Sequence, residues 1–388
     1  PVEFQHPRVV GHGETLPSAR RYARSMATPA PERRSNLRRR EPAPHEAFAD
    51  GEYRWGTFDG PIANVNLLDR WSGPARRFHG SRLKEWQAFQ LVNDRYFVLG
   101  AVYDAKLLGL VQIVVVDSTT GEARRWEHRV PSPRLSVARG LDATVSTGRG
   151  GSLRVTVRND VADGRLAIVA EDRGGKGVAP MELVATGRFG RDDAAHLVIC
   201  HPFPDGTPLY SHKCAMPVTG TLRLGAVGDD AETGSTIIRF DEASSVLILD
   251  DHKGHYPSPM AYDWVTGARR DPDGRLLAFN LTDNQVRDPD TFNECALWID
   301  TALHSLPPVR FERPGGVHQP WRVRDAEGRV DVTFEPTVRN EQHIGPRSAL
   351  ADYYGPFGWC SGTIVADDGA PVSVDGCFGM GEQKFIRL

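Results

Sequence analysis

The residues from Leu249 to Trp264, L-D-D-H-K-G-H-Y-P-S-P-M-A-Y-D-W, bring together three carboxylates, two histidines, a lysine, two tyrosines and a tryptophan. Ionisable groups set among aromatic rings suit general acid–base chemistry, because apolar surroundings shift the pKa values of carboxyl and imidazole groups. Asp250, Asp251, His252 and Lys253 are therefore the candidate catalytic residues. The run before them, S-S-V-L-I-L at Ser244–Leu249, is apolar and β-branched and predicts a strand. Side chains alternate along a strand, so Asp250 and Asp251 face opposite sides and only one can serve a given cavity.

The candidate ligand-contacting residues are His212, Tyr256, Tyr262, Asp263, Trp264, Asn280, Glu294, and Trp298. In N-E-C-A-L-W-I-D, strand alternation places Glu294, Ala296, Trp298 and Asp300 on one face, which is not the face of an ordinary apolar core. His252 and His255 form H-x-x-H, but without the i,i+4 helical spacing that makes a zinc pair, and no metal is expected. No G-x-S-x-G elbow, phosphate-binding loop or dinucleotide fingerprint occurs, so no cofactor is expected either. Cys214, which follows His212 and Lys213, reads as a buried structural thiol.

The elements that must position these groups are mostly strands. Runs such as Gly109–Asp117, Ser152–Asn159, Arg165–Glu171, Arg275–Leu281, Arg329–Glu335 and Gly358–Ala366 alternate or are β-branched. Asp205–Gly206, Asp273–Gly274, Asp368–Gly369, Glu327–Gly328 and Thr233–Gly234 separate them as hairpin turns. Short helices are predicted within Ser81–Leu91 and Glu341–Tyr353. Many short strands with regular turns point to sandwiches or barrels. The partition expected is a flexible Arg-rich arm over residues 1–48, a first β-barrel over 49–218, and a second over 219–388 that carries the site.

The 388 residues suffice for two domains, and a net charge of −3 gives no reason to expect nucleic acid as a partner. Five cysteines without C-x-x-C spacing fit core residues of a reducing compartment, and a cytoplasmic location is expected. Arg20, Arg21, Arg24, Arg33, Arg34, Arg38, Arg39 and Arg40 lie among Pro, Ala and Ser, as in a basic arm able to touch an anionic membrane. The molecule is expected as a monomer or homodimer.

The chain resembles the bacterial domain-of-unknown-function family 2804. The likeness rests on F-D-G-P-I-A-N (Phe58–Asn64), P-L-Y-S-H-K-C (Pro208–Cys214), L-D-D-H-K-G-H-Y-P (Leu249–Pro257), Y-D-W (Tyr262–Trp264), F-N-L-T (Phe279–Thr282), W-I-D (Trp298–Asp300), G-P-F-G-W (Gly355–Trp359) and G-M-G-E (Gly379–Glu382). More distantly the family is similar to the two-barrel, lipocalin-like group of carotenoid 1,2-hydratase, AttH and tocopherol cyclase. The resemblance implies tandem calycin-like antiparallel β-barrels and an acid that protonates an isoprenoid double bond in an apolar cavity. Asp250 or Asp251 would be that acid, with Tyr256 and Trp264 shaping the pocket. The function expected is a cofactor-independent, acid-catalysed hydratase, dehydratase or cyclase acting on a hydrophobic isoprenoid-like small molecule. A lipid or pigment binder and a carbohydrate-active enzyme with paired carboxylates are the alternatives.

Overall fold

The computed structural model describes residues 38–175, 177–188, 195–225, 235–345 and 351–387. The arginines of the arm up to Arg34, the Thr233–Gly234 turn and Lys176 lie outside them. The chain is mostly strand, in a fifteen-stranded and a twelve-stranded sheet among the described residues. The first rolls into a nearly closed barrel and the second into a half-barrel.

In the first sheet the order runs Ala123–Pro131, Leu108–Asp117, Tyr96–Asp104, Lys84–Val92, Val246–Gly254, Pro208–Leu224, Met181–Arg188, Arg165–Asp172, Leu153–Asp160, Thr144–Gly150 and Leu135–Ser136. Its two ends come together where a Cβ on Gly148 would meet Val111 at 2.8 Å, a closeness only glycine permits. The inward face is solid, packed with Phe89, Leu91, Val111, Ile113, Leu153, Leu183, Leu222, Leu247 and Leu249. Tyr53, Phe58, Ile62 and Leu67 from the N-terminal segment form a second cluster with Val198, Cys200 and Tyr210.

The second sheet runs Ala302–Ser305, Ala296–Ile299, Leu276–Asp283, Met260–Arg270, Cys377–Ile386, Phe357–Val365, Val330–Val338, Trp321–Asp325 and Val309–Glu312. One of its faces closes over Phe279, Leu281, Leu297, Trp321 and Phe334. The other packs on the outside of the first barrel, where Phe97, Leu99, Val114 and Ile248 meet Ala278, Trp298, Phe357, Phe378 and Met380.

The boundary expected at 218–219 falls inside the Pro208–Leu224 strand, and the chain changes sheet only between Gly254 and Met260. The Val246–Gly254 strand is therefore central to the first sheet, not part of the second. Residues 38–48, assigned by composition to the arm, belong to the packed body. Arg38 is buried and donates to the Asn293 and Cys295 carbonyls and the Asn293 side chain, and Arg40–Glu41 pairs with Thr57–Phe58. The helix expected within Ser81–Leu91 is the strand Lys84–Val92, because strands on both sides supply its backbone partners. The one expected within Glu341–Tyr353 is the strand pair Glu341–Ile344 and Ala351–Tyr354. Among the described residues no helix is long and apolar enough to cross a membrane. All five cysteines are buried and unbridged.

Candidate functional site

Where the apolar layer between the sheets ends, the facing side chains turn polar around a cleft of about 250 Å³. Register decides who is there. Along Val246–Gly254, Leu247, Leu249, Asp251 and Lys253 share the inward face of the barrel, so Ile248, Asp250 and His252 look out to the second sheet. Lys213 lies directly across the ladder from Asp250, and Trp86 directly across from His252.

These neighbours build one network. Lys213 donates to Asp250, and its Nζ is 3.7 Å from Glu294. The Trp86 indole N–H donates to Asp250 at 3.2 Å. His252 Nε2 lies 3.3 Å from Asp250 Oδ1 and 3.2 Å from Glu294 Oε2, while Nδ1 is 3.0 Å from the Tyr256 hydroxyl. Trp86 stacks flat on the imidazole, with centroids 4.4 Å apart and planes 7° from parallel. Asn284 Nδ2 holds the other Glu294 oxygen at 2.9 Å. Asn280 acts behind the wall, accepting from the Trp264 indole at 2.6 Å and donating to the Glu294 carbonyl at 2.7 Å.

Two carboxylates and one lysine reach charge balance if His252 carries a proton. Burial disfavours charge on Asp250, but Lys213 and His252 outweigh it and hold the carboxyl far below its usual range. Burial is outweighed likewise at Glu294, where His252 and Lys213 bring the pKa to about 2. Burial opposes protonation of His252 too, yet Glu294 and Asp250 raise its pKa above the ordinary histidine value. Tyr256 is pushed well up by burial and by Glu294, so its hydroxyl keeps its proton. The protonated imidazole then donates through Nδ1 to Tyr256, and the tyrosine O–H is free to turn to a ligand.

The opposite wall is set by the second sheet. Lys384 lies in register with Tyr262 on one neighbouring strand and Tyr353 on the other. Its Nζ donates to the Tyr262 hydroxyl at 2.6 Å, and the Tyr353 hydroxyl donates to Glu382 at 2.7 Å.

The expected proton donor of raised pKa is not an aspartate in this cleft: Asp250 is held ionised. Asp251 has a raised pKa, chiefly from burial, but it points into the barrel. There it is paired with Lys253, whose Nζ lies 2.9 and 2.7 Å from its two oxygens. His212 is on that side as well, its Nε2 2.9 Å from His196 Nδ1, and burial keeps it neutral. Asp263 alternates away from Tyr262 and Trp264, and Arg313 Nη2 binds it at 2.8 Å. Trp298 is fully buried in the layer between the sheets, donating to the Ala195 carbonyl at 2.7 Å. The face expected to join Glu294, Ala296, Trp298 and Asp300 breaks at Asp300, whose Oδ1 accepts the Leu276 N–H at 2.8 Å. His255 parts from His252 and lies 3.0 Å from the His79 carbonyl, so H-x-x-H does not converge.

Of the expected residues, the cleft thus gathers Asp250, His252, Tyr256, Tyr262, Trp264 and Glu294. Trp86, Tyr103, Lys213, Tyr353, Glu382 and Lys384 line it without having been assigned there. Lys213 and Glu382 were within reach of sequence reading, inside P-L-Y-S-H-K-C and G-M-G-E.

If the two carboxylates set the proton on His252, Glu294→Gln should lower the His252 pKa, since it removes one of the anions that raise it. Histidine-selective NMR titration would check this. The contribution of the pairing to stability has a definite sign. For His252 it is complete below the unfolded-state value of about 6.5 and fades as pH rises through the raised pKa. For Glu294 it is present above the ordinary carboxyl value and is lost only as pH falls toward about 2.

The chain belongs to the family described as Domain of unknown function (DUF2804), whose profile matches residues 49–388. A comparison with curated proteins gave no match. Among solved structures it is similar to kievitone hydratase from Nectria haematococca, at 14% identity and TM-score 0.43, covering 78% of this chain and 88% of that one. It is also similar to CghA, at 14% identity and TM-score 0.38, with 79% and 88% covered. A protein assigned as AttH from Nitrosomonas europaea is similar at 13% identity and TM-score 0.35, with 78% and 92% covered.

Proposed function

We propose that the protein is an acid–base catalyst that adds or removes water, or closes a ring, on a hydrophobic small molecule held between its two sheets. The observation that carries this reading is the relay from the two anions through His252 to Tyr256. It holds a proton at the end of a cleft whose other walls include Leu99, Ala101, Met260, Met380 and Ile386. His252 stores the proton, Tyr256 hands it over, and Asp250, Glu294 and Lys213 set the imidazole's charge and orientation. The reaction needs no group beyond these side chains and water.

A glycosidase needs one carboxyl protonated while its partner is ionised. Asp250 and Glu294 are both held ionised and both bind the same imidazole nitrogen, which counts against that alternative. In a purely ligand-burying protein, Tyr256 and His252 would be fillers of the cleft with no turnover to lose.

The test is to incubate the protein with a small-molecule extract of its source cells and follow all features by mass spectrometry. Features that gain or lose the mass of water, or keep their mass and change retention, should appear with the wild type and fail to appear with Tyr256→Phe. If the extract stays unchanged while a hydrophobic compound co-purifies with the protein, the binder reading replaces this one.

A further inference from the structure

Four aromatic rings in the cleft already have a cation. The Lys384 ammonium sits 4.8 Å from the centroid of Tyr262, 5.5 Å from Tyr353, 5.6 Å from Trp86 and 6.0 Å from Tyr103. Two of these rings come from each sheet, so the lysine closes the gap between the walls. No carboxylate lies within 4 Å of it among the described residues. One of its three N–H groups is used on Tyr262, which leaves donors for a ligand. A half-buried ammonium whose direct contacts are a phenol oxygen and ring faces, with Glu382 and Asp250 acting on it only from farther off, is incompletely neutralised, and an anion arriving from solvent would complete its pairing.

The lining as a whole points the same way. Lys84, Arg129, Lys213 and Lys384 stand against Asp250, Glu294 and Glu382, an excess of one positive charge before a proton on His252 is counted. A tertiary carbocation, which protonation of an isolated isoprenoid alkene would give, needs free aromatic faces. Here the faces of Trp86, Tyr103, Tyr262 and Tyr353 are taken by a group of like charge.

We infer that the ligand of this cleft is a planar, hydrophobic phenol or enol whose oxygen is bound as the anion against Lys384. This rests on the proposed function only in placing the ligand in the cleft, and it gives that reading a substrate class. The phenolate or enolate oxygen meets Lys384, the flat body lies among the rings, and the reacting carbon reaches toward Tyr256. Burial lowers the Lys384 pKa, with Glu382 and Asp250 pulling the other way, as expected for a lysine that awaits an anionic partner.

4-Nitrophenol reports its own ionisation by colour and serves as the probe. At a pH where the free dye is half ionised, the bound dye should be richer in phenolate by about tenfold or more, a shift of one pKa unit. Lys384→Met should return the bound dye to the free ratio, and Lys384→Arg, which keeps the charge, should retain the preference. (4-Nitrobenzyl)trimethylammonium, of similar size and opposite charge, should bind more weakly than the phenolate. The inference is overturned if the dye binds as the neutral phenol, if it does not bind, if Lys384→Met leaves its ionisation unchanged, or if the cationic probe binds as tightly. None of these readings depends on turnover, so failure of the conversion test with Tyr256→Phe is seen separately.

Discussion

His252→Gln is expected to reduce conversion by about 10²- to 10⁴-fold, the range for loss of a positioned proton donor. Ligand binding, read with 4-nitrophenol, should persist. Glutamine can still donate to Asp250 and Glu294, so the wall keeps its shape, but it stores no proton for Tyr256. The pH profile gives the sign. If the acid form of His252 is the active one, as proposed, the wild-type rate of proton delivery should fall as pH rises through a value above the ordinary histidine pKa. No matching loss is expected in mild acid, since Glu294 protonates only near about 2 and Asp250 is held lower than its usual range. Asp250→Asn should weaken conversion by lowering the His252 pKa. Asp251→Asn, one residue on, should lower stability by stranding Lys253 but leave the rate per folded molecule intact, because its side chain is inside the barrel. Equal losses of rate per folded molecule in the two asparagine variants would refute the face assignment, and full turnover in His252→Gln would refute the relay.

That contrast shows what alternation along a strand reveals and what it leaves open. The sequence says that Asp250 and Asp251 look opposite ways; only the packing of the sheets says which way leads to the cleft. The expected link between an aspartate of raised pKa and catalysis also comes apart here. The residue with the raised pKa is Asp251, away from the cleft, and the cleft aspartate is ionised because Lys213 and His252 reach it. Lys213 arrives from a strand nearly forty residues away in sequence, in a register that composition does not encode.

Turn chemistry was the more legible part. Gly206, Gly274, Gly328 and Gly369 all adopt positive φ, between 77° and 85°, as the Asp-Gly and Glu-Gly pairs predict. K-E-W-Q-A-F-Q-L reads as helix because Lys, Glu, Gln, Ala and Leu favour it, yet it lies between two strands whose ladders claim every backbone group. That misreading hid Trp86, which becomes a wall of the site only when extended. Lys384 had no local signal either, since the rings around it come from four other strands. Where the site depends on one segment, as from Asp250 to Trp264, the sequence shows it; where it depends on which strands become neighbours, it does not.

The largest effect on stability is expected from a pair outside the cleft. Lys253 and Asp251 are 1% and 0% exposed, and the ammonium also lies 5.4 Å from the Tyr210 ring. Lys253→Met removes the cation and leaves a carboxylate in the barrel interior with only the weaker pull of His252 to offset its desolvation. Breaking a buried pair in this way costs about 3–5 kcal/mol. Burial already raises the Asp251 pKa with Lys253 present, and without it the rise must be larger, so the folded variant would take up a proton there. A raised carboxyl pKa in the folded state makes stability fall as pH increases through the carboxyl range, so this variant should be relatively more stable in acid than at neutral pH. Asp251→Asn in the same chain removes the stranded charge, and the double variant should recover most of the loss at neutral pH. Denaturant unfolding of the wild type, the single variants and the double variant at two pH values measures the coupling directly. If Lys253→Met unfolds at the wild-type midpoint, or if adding Asp251→Asn makes it worse, the pair is not what holds this end of the barrel. If the coupling is as large as argued, the two adjacent Asp–Lys contacts on this strand have different tasks: the one inside the barrel supports the fold, and the one outside sets the charge of the relay.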